Sequence, residues 1–169
     1  MPDANMAASV ANIMGSAFGA AGQRCLAGSV VVAVGDAYEP LKEELIKKAG
    51  SLRVGYGLQE TSQMGTVISA SSRERIEKMI TDGEKEGAQV VLDGRGKKVE
   101  GFEDGSFVGP TILDGVDPNM NIAREEVFGP VLAIIRVPDF DSAVEVINKS
   151  KYGNAASIFT SSGKFAREF

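Results

Sequence analysis

Val131-Leu132-Ala133-Ile134-Ile135-Arg136-Val137 carries the clearest strand signal in this sequence. The run is apolar and rich in β-branched residues, and the pair Gly129-Pro130 before it and Pro138 after it mark both of its ends. Residues 28–34, with three successive valines, form a second run of the same kind. Short apolar runs bounded by turn residues predict strands buried in a sheet.

Helical patterns alternate along the chain with these two strands and with weaker strand signals. We predict helices over residues 5–21, 41–49, from Ser71 or Ser72 to 86, from Asp139 or Asp141 to 148, and 164–169. We predict strands over residues 28–34, 89–92, 107–113, 131–137 and 155–160, with a short extended piece at 66–68. The alternation predicts an α/β fold with a mostly parallel sheet and helices on both faces. Ligand sites of such sheets are expected at the carboxyl ends of the strands.

Composition excludes several classes of function. The chain has 169 residues and a net charge of −5, so it has no global positive field for nucleic acid or for an anionic membrane. Its longest apolar runs are too short to span a bilayer. It contains one cysteine and no histidine, which excludes an internal disulfide and a zinc site of the usual nitrogen and sulfur type within the chain, so no metal is expected.

Cys25, the single cysteine, has two interpretations. Free cysteines are often buried core residues. The alternative is a nucleophile, because the small residues around it leave room for a ligand and Arg24 favours a thiolate. Without a histidine base, such a thiol suits aldehyde or thioester chemistry better than attack on an amide.

Residues 125–130, Glu-Glu-Val-Phe-Gly-Pro, also have two interpretations. They form either a polar loop that leads into a strand or a cofactor contact. In the second case a carboxylate accepts hydrogen bonds from a ribose diol, as in other dinucleotide sites, and Phe128 offers a flat face to a ring.

Four motifs, taken in order, resemble the aldehyde dehydrogenase superfamily. They are Gly-Gln-Arg-Cys at 22–25, Phe-Val-Gly-Pro-Thr at 107–111, Glu-Glu-Val-Phe-Gly-Pro-Val at 125–131 and Lys-Tyr-Gly-Asn at 151–154. Residues 1–4, 92–95 and 158–160 are most similar to the methylmalonate-semialdehyde group of that superfamily. The resemblance covers essentially the whole chain.

This resemblance implies a role for each candidate residue. Cys25 is the nucleophile, and its backbone N–H contributes to the oxyanion site. Glu126 binds the nicotinamide ribose of NAD, and Phe128 packs near the same end of the cofactor. Arg24 either holds a substrate carboxylate or is a surface or ion-pair residue.

The resemblance also implies the reaction, and three readings remain open. The first is a CoA-acylating oxidation of methylmalonate or malonate semialdehyde with NAD as cofactor and coenzyme A as co-substrate. The second is a hydrolytic NAD(P)-dependent aldehyde dehydrogenase with another substrate. The third is an inactive folded fragment that only binds a partner or a ligand.

Residues 1–169 are expected to be a fragment of the catalytic domain, without the family's cofactor-binding domain and oligomerisation segment. The full-length protein is expected to be a homodimer or homotetramer that takes a small aldehyde and no nucleic acid or membrane. Its expected location is the cytoplasm, or alternatively the mitochondrial matrix.

Overall fold

A four-stranded sheet forms the centre of the computed structural model, which describes all of residues 1–169. In chain order the elements are α1 (Met6–Phe18), β1 (Val30–Val34), α2 (Tyr38–Gly50), α3 (Ala70–Glu86), β2 (Gln89–Leu92), β3 (Thr111–Asp114), α4 (Asn121–Arg124), β4 (Val131–Val137), α5 (Phe140–Asn148) and α6 (Gly163–Glu168).

The strands lie in the order β1-β4-β3-β2, with β4 in the interior of the sheet. β4 pairs in parallel with β1 on one side and with β3 on the other, whereas β2 runs antiparallel to β3. The predicted α/β class with a mostly parallel sheet is therefore confirmed. β4 is almost entirely buried, as its apolar sequence predicts for a strand covered on both faces.

Alternate residues of β4 face different helices. Arg136 lies over the Tyr38 ring at 4.9 Å, so its face of the sheet carries α2, against which α1 packs. Leu113, which pairs with Ala133 on the opposite face, lies 3.2 Å from where a side chain would begin at Gly83 of α3. Helices therefore cover both faces, as predicted.

A buried polar cluster lies on the α2 face of the sheet. The Tyr38 hydroxyl is 2.7 Å from each carboxylate oxygen of Asp114, and Lys42 Nζ lies 3.3 Å from the same carboxylate. Burial and the bond to Asp114 raise the pKa of Tyr38, and the pairing with Glu39 raises the pKa of Lys42. The cluster satisfies a carboxylate that is only 5% exposed, which otherwise costs several kcal/mol to bury.

Local capping signals fix several helix ends. Ser69, rather than Ser71 or Ser72, caps α3 by accepting a hydrogen bond from the Ser72 N–H, and Asp139 caps α5 by accepting one from the Ser142 N–H. The predicted stop of α3 is confirmed, because Gly87 adopts φ +115 there.

Five element predictions need correction. α1 ends at Phe18, before the predicted end at residue 21, and α2 begins at Tyr38 with Pro40 inside its first turn. The predicted strand over 107–113 is shorter, Thr111–Asp114. Residues 155–160 and 66–68 form no strand, since none of the four strands pairs with them.

Candidate active site

Cys25 follows a tight turn at the end of α1. Ala20 and Ala21 both have φ +52, and Gly22 has φ +69, so three successive residues are in the left-handed region. A side chain at Gly22 would begin 2.1 Å from the Gly129 carbonyl oxygen. Only glycine allows this approach, which seats the turn before Cys25 directly against the loop before β4.

The thiol itself is at the surface. Cys25 is exposed, which contradicts the interpretation of a buried structural cysteine. The backbone N–H of Cys25 donates no hydrogen bond within the chain, since the turn is closed instead by Gln23 N–H to Ala20 and by Ala27 N–H to Arg24. A free N–H beside a thiol is a donor available to an oxygen that develops negative charge.

Arg24 spans the end of α1. Its Nη2 donates to the carbonyl oxygens of Gly15 and Ser16 in the last turn of α1, and the Gly15 oxygen also accepts from the Gly19 N–H. The guanidinium forms no ion pair with any carboxylate of the chain, which removes the ion-pair alternative. Its other N–H groups have no acceptor in the chain.

Glu126 and Phe128 lie in the loop that leads into β4. Glu126 is exposed and accepts no hydrogen bond, so its carboxylate is available to a ligand. Phe128 has φ +48 and is 38% exposed, although a bulky residue with positive φ is strained. Strained residues of this kind cluster at active sites and ligand clamps, so Phe128 supports the hypothesis of a functional loop.

A small cleft joins the two loops. It holds about 40 Å³ and is lined by residues from the turn and from the loop, namely Ala17, Gly22, Arg24, Ala27, Gly28, Ser29, Glu126, Phe128 and Gly129. Three of the four predicted site residues therefore line one cleft. Cys25 follows Arg24 directly in the chain but is not among the lining residues.

The cleft lies at the amino ends of the parallel strands. Cys25 precedes β1, and Glu126 and Phe128 precede β4, which pairs with β1 in parallel. The predicted location at the carboxyl ends of the strands is therefore wrong for these residues. The reason is that their positions are set by the turn after α1 and its contact with Gly129, not by the loops that follow the strands.

Residues 151–154 connect the two loops. Lys151 Nζ lies 2.5 Å from Glu125 Oε1, and the Tyr152 hydroxyl donates to Glu125 Oε2 at 3.4 Å. The ion pair with Lys151 holds the pKa of Glu125 below its ordinary value. At the other end of the segment, Asn154 Nδ2 donates to the Cys25 carbonyl oxygen at 2.5 Å.

Sequence reasoning did not assign a role to Asn154 or to Gly129. Asn154 stands in a motif that was noticed, but its partner lies 129 residues away, and nothing local indicates that contact. Gly129 had a usable signal, since a Gly-Pro pair before a strand marks a constrained turn.

Comparison with known proteins identifies the family. The sequence profile described as "Aldehyde dehydrogenase family" matches residues 1–169. The chain belongs to the aldehyde dehydrogenase family. The family predicted from the motifs is thereby confirmed.

Individual aldehyde dehydrogenases extend this likeness. The chain is 48% identical over 169 residues to the mitochondrial acylating methylmalonate-semialdehyde dehydrogenase of Arabidopsis thaliana and covers 28% of it. It is 46% identical to the human acylating methylmalonate-semialdehyde/malonate-semialdehyde dehydrogenase, also named mitochondrial, and covers 31% of that protein. The predicted resemblance to this group is confirmed.

Solved aldehyde dehydrogenase structures share the fold. The methylmalonate-semialdehyde dehydrogenase of Oceanimonas doudoroffii has a TM-score of 0.97 and 42% identity, with 100% of this chain and 35% of that one covered. An NAD⁺ complex of a Bacillus cereus aldehyde dehydrogenase has a TM-score of 0.92 and 32% identity, with 99% and 33% covered. The chain thus spans about a third of the length of these aldehyde dehydrogenases. Its own helices include none with the length and apolarity needed to cross a bilayer.

Proposed function

We propose that residues 1–169 supply the nucleophile and part of the cofactor site of an NAD-dependent, CoA-acylating semialdehyde dehydrogenase. The observation that carries this proposal is the exposed Cys25 in a turn packed against the loop of Glu126 and Phe128. The substrates proposed are methylmalonate and malonate semialdehyde, which the names of the curated relatives include.

Cys25 carries the covalent chemistry in this proposal. Its thiolate adds to the aldehyde carbon, and the resulting oxyanion of the thiohemiacetal accepts a hydrogen bond from the free Cys25 N–H. Loss of hydride leaves a thioester on Cys25. Cleavage of the carbon–carbon bond to the substrate carboxylate would release carbon dioxide and leave an electron pair on the α-carbon, which takes a proton from water. Attack of the coenzyme A thiolate on the acyl carbon would then release Cys25 as its thiolate.

Glu126 and Phe128 are the residues proposed to hold NAD, which supplies the hydride acceptor when bound. The unpaired Glu126 carboxylate is suited to two ribose hydroxyls, and the exposed Phe128 ring is suited to packing against the nicotinamide end. Two observations support this assignment: both groups line the same cleft, and neither has a partner in the chain that a ligand must displace.

Arg24 is proposed to bind the carboxylate of the semialdehyde. Only Nη2 is used by the carbonyls at the end of α1, and those bonds fix the plane of the guanidinium. The remaining N–H groups are free for a carboxylate, which a guanidinium binds more specifically than an ammonium group does.

The domain assignment is also a proposal. We take residues 1–169 to be catalytic-domain sequence, with the family's cofactor-binding domain and oligomerisation segment not among them. On this basis the 169-residue chain alone is expected to show no turnover, and the full-length enzyme to be a homodimer or homotetramer. The cytoplasm remains the proposed compartment, and the mitochondrial names of the eukaryotic relatives support the matrix as the alternative.

The test uses the complete polypeptide that the gene encodes. NADH formation from malonate semialdehyde is followed at 340 nm with and without coenzyme A, and the products are identified by mass spectrometry. We expect an acyl-CoA product, loss of turnover in Cys25→Ser, and an acyl adduct on Cys25 when coenzyme A is omitted.

Two further variants assign the cofactor contact. Glu126→Gln is expected to raise KM for NAD. Glu100→Gln is the control, because Glu100 is also an exposed glutamate but does not line the cleft, and it should leave KM for NAD unchanged. A free acid formed without dependence on coenzyme A favours the hydrolytic alternative. Full turnover in Cys25→Ser contradicts the proposal altogether.

A further inference from the structure

Cys25 itself makes no hydrogen bond to its own turn. Cys25 is exposed and its neighbour Leu26 is 60% exposed, between the short 3-10 helix Gly19–Gly22 and β1. The residues after Cys25 are held by Ser16, whose hydroxyl accepts from the Gly28 N–H at 2.9 Å and donates to the Leu26 carbonyl oxygen at 3.4 Å. A nucleophile in such a turn needs an external contact to hold its Cα–Cβ bond and its N–H in one orientation.

Asn154 supplies the one hydrogen bond that Cys25 makes to a distant part of the chain. Its Nδ2 donates to the Cys25 carbonyl oxygen at 2.5 Å. A fixed carbonyl fixes the peptide plane between Cys25 and Leu26. It therefore restricts the backbone rotation that determines where the thiol and the N–H of Cys25 point.

Asn154 is itself held from the opposite side of the site. Lys151 and Tyr152 both contact the Glu125 carboxylate, and the Tyr152 N–H donates to the Ser150 hydroxyl at 3.2 Å. The segment is thereby anchored next to Glu126. Its contact with Cys25 links the two walls of the site through side chains, in addition to the backbone approach of Gly22 and Gly129.

We propose that Asn154 is a positioning residue for Cys25, which acts by holding the Cys25 carbonyl oxygen and not by touching substrate or cofactor. The proposal rests on the proposed function of Cys25 as nucleophile. Preorganisation of this kind is worth a large factor in rate, since small misplacements of a reacting group reduce turnover strongly.

A spectroscopic test reads the contact directly in the 169-residue chain. Because the chain has a single cysteine, labelling with [1-¹³C]cysteine gives one carbonyl resonance. Asn154→Asp keeps the shape of the side chain but removes the N–H donor. We expect it to shift and broaden that resonance, and the shorter Asn154→Ser to do the same. Asn148→Asp is the matched control, because Asn148 is exposed and makes no side-chain hydrogen bond, and it should leave the resonance unchanged.

A kinetic test reads the consequence in the complete enzyme. Asn154→Asp is expected to lower kcat about 10- to 100-fold, with KM for NAD unchanged and the melting temperature close to that of the control. An unchanged carbonyl resonance in both Asn154 variants overturns the positioning role, and so does an unchanged kcat. The carbonyl resonance can be measured without turnover, so it tests the contact between Asn154 and Cys25 even in an inactive protein. An inactive wild-type enzyme would count against the proposed function instead.

Discussion

Gly22→Ala is the change that most directly tests how the nucleophile turn is built. Gly22 has φ +69, and an added Cβ would lie 2.1 Å from the Gly129 oxygen and 2.9 Å from the Ala17 oxygen. Both neighbours are backbone atoms, so no rotamer change relieves the contact, and either the turn or the loop before β4 must move.

The expected cost has two parts. A left-handed conformation costs an L-residue about 1–2 kcal/mol, and overpacking costs about 1–3 kcal/mol more. We therefore expect Gly22→Ala to lower the free energy of unfolding by about 2–5 kcal/mol, a large share of the 5–15 kcal/mol typical of a domain.

Urea denaturation of the 169-residue chain, followed by circular dichroism, measures this loss. Gly15→Ala is the matched control, since Gly15 lies in α1 and nothing is within 4 Å of its Cβ position. It is expected to stabilise the chain by about 0.5–1 kcal/mol, because glycine is a poor helix residue. Equal stabilities for Gly22→Ala and the wild type would refute the close approach of the two loops.

Two other changes test the polar contacts. Tyr38→Phe removes the hydroxyl that donates a hydrogen bond to the buried Asp114 carboxylate, and we expect it to lower the free energy of unfolding by about 1.5–3 kcal/mol. Tyr56→Phe is the control, because the Tyr56 hydroxyl has no partner, and it should leave the free energy of unfolding almost unchanged. Equal losses in the two variants would contradict the buried hydrogen bond. The Glu125 carboxyl should titrate in ¹³C spectra below its ordinary pKa of about 4.3, and Lys151→Met should move that pKa back up. Because the folded pKa is the lower one, the ion pair contributes stability above the ordinary pKa and loses it as the pH falls through the folded value; a Glu125 pKa at or above the ordinary value would rule the pair out.

Sequence reasoning succeeded where the signal is local. The apolar runs predict β1 and β4, and the glycine at residue 87 ends α3, from interactions within a few residues of the chain. The structure confirms each of these elements. It failed where a distant partner decides. Residues 155–160 have strand-like composition, but a strand exists only if another strand pairs with it, and none does.

The candidate site also has parts that the sequence predicts and parts that depend on distant contacts. The motifs predict Cys25, Glu126 and Phe128 as site residues, and the close approach of Gly22 to Gly129 brings their two loops together. The early end of α1 could not be predicted, because Ala20 and Ala21 take left-handed conformations that alanine normally avoids. The contact of Asn154 with Cys25 depends on tertiary structure alone.

The parallel register between β1 and β4 has a consequence for how this sequence can change in length. Val30 pairs with Ala133, so the number of residues from Cys25 to β1 and from Glu126 to β4 fixes the relative height of the two loops. One added residue in either loop would displace its side chains by about 3.3 Å along the strand or turn them to the opposite face. We therefore expect an insertion or deletion in residues 22–29 or 125–130 to disrupt the site. The exposed turns within residues 96–104 can vary in length without changing the spacing of the site.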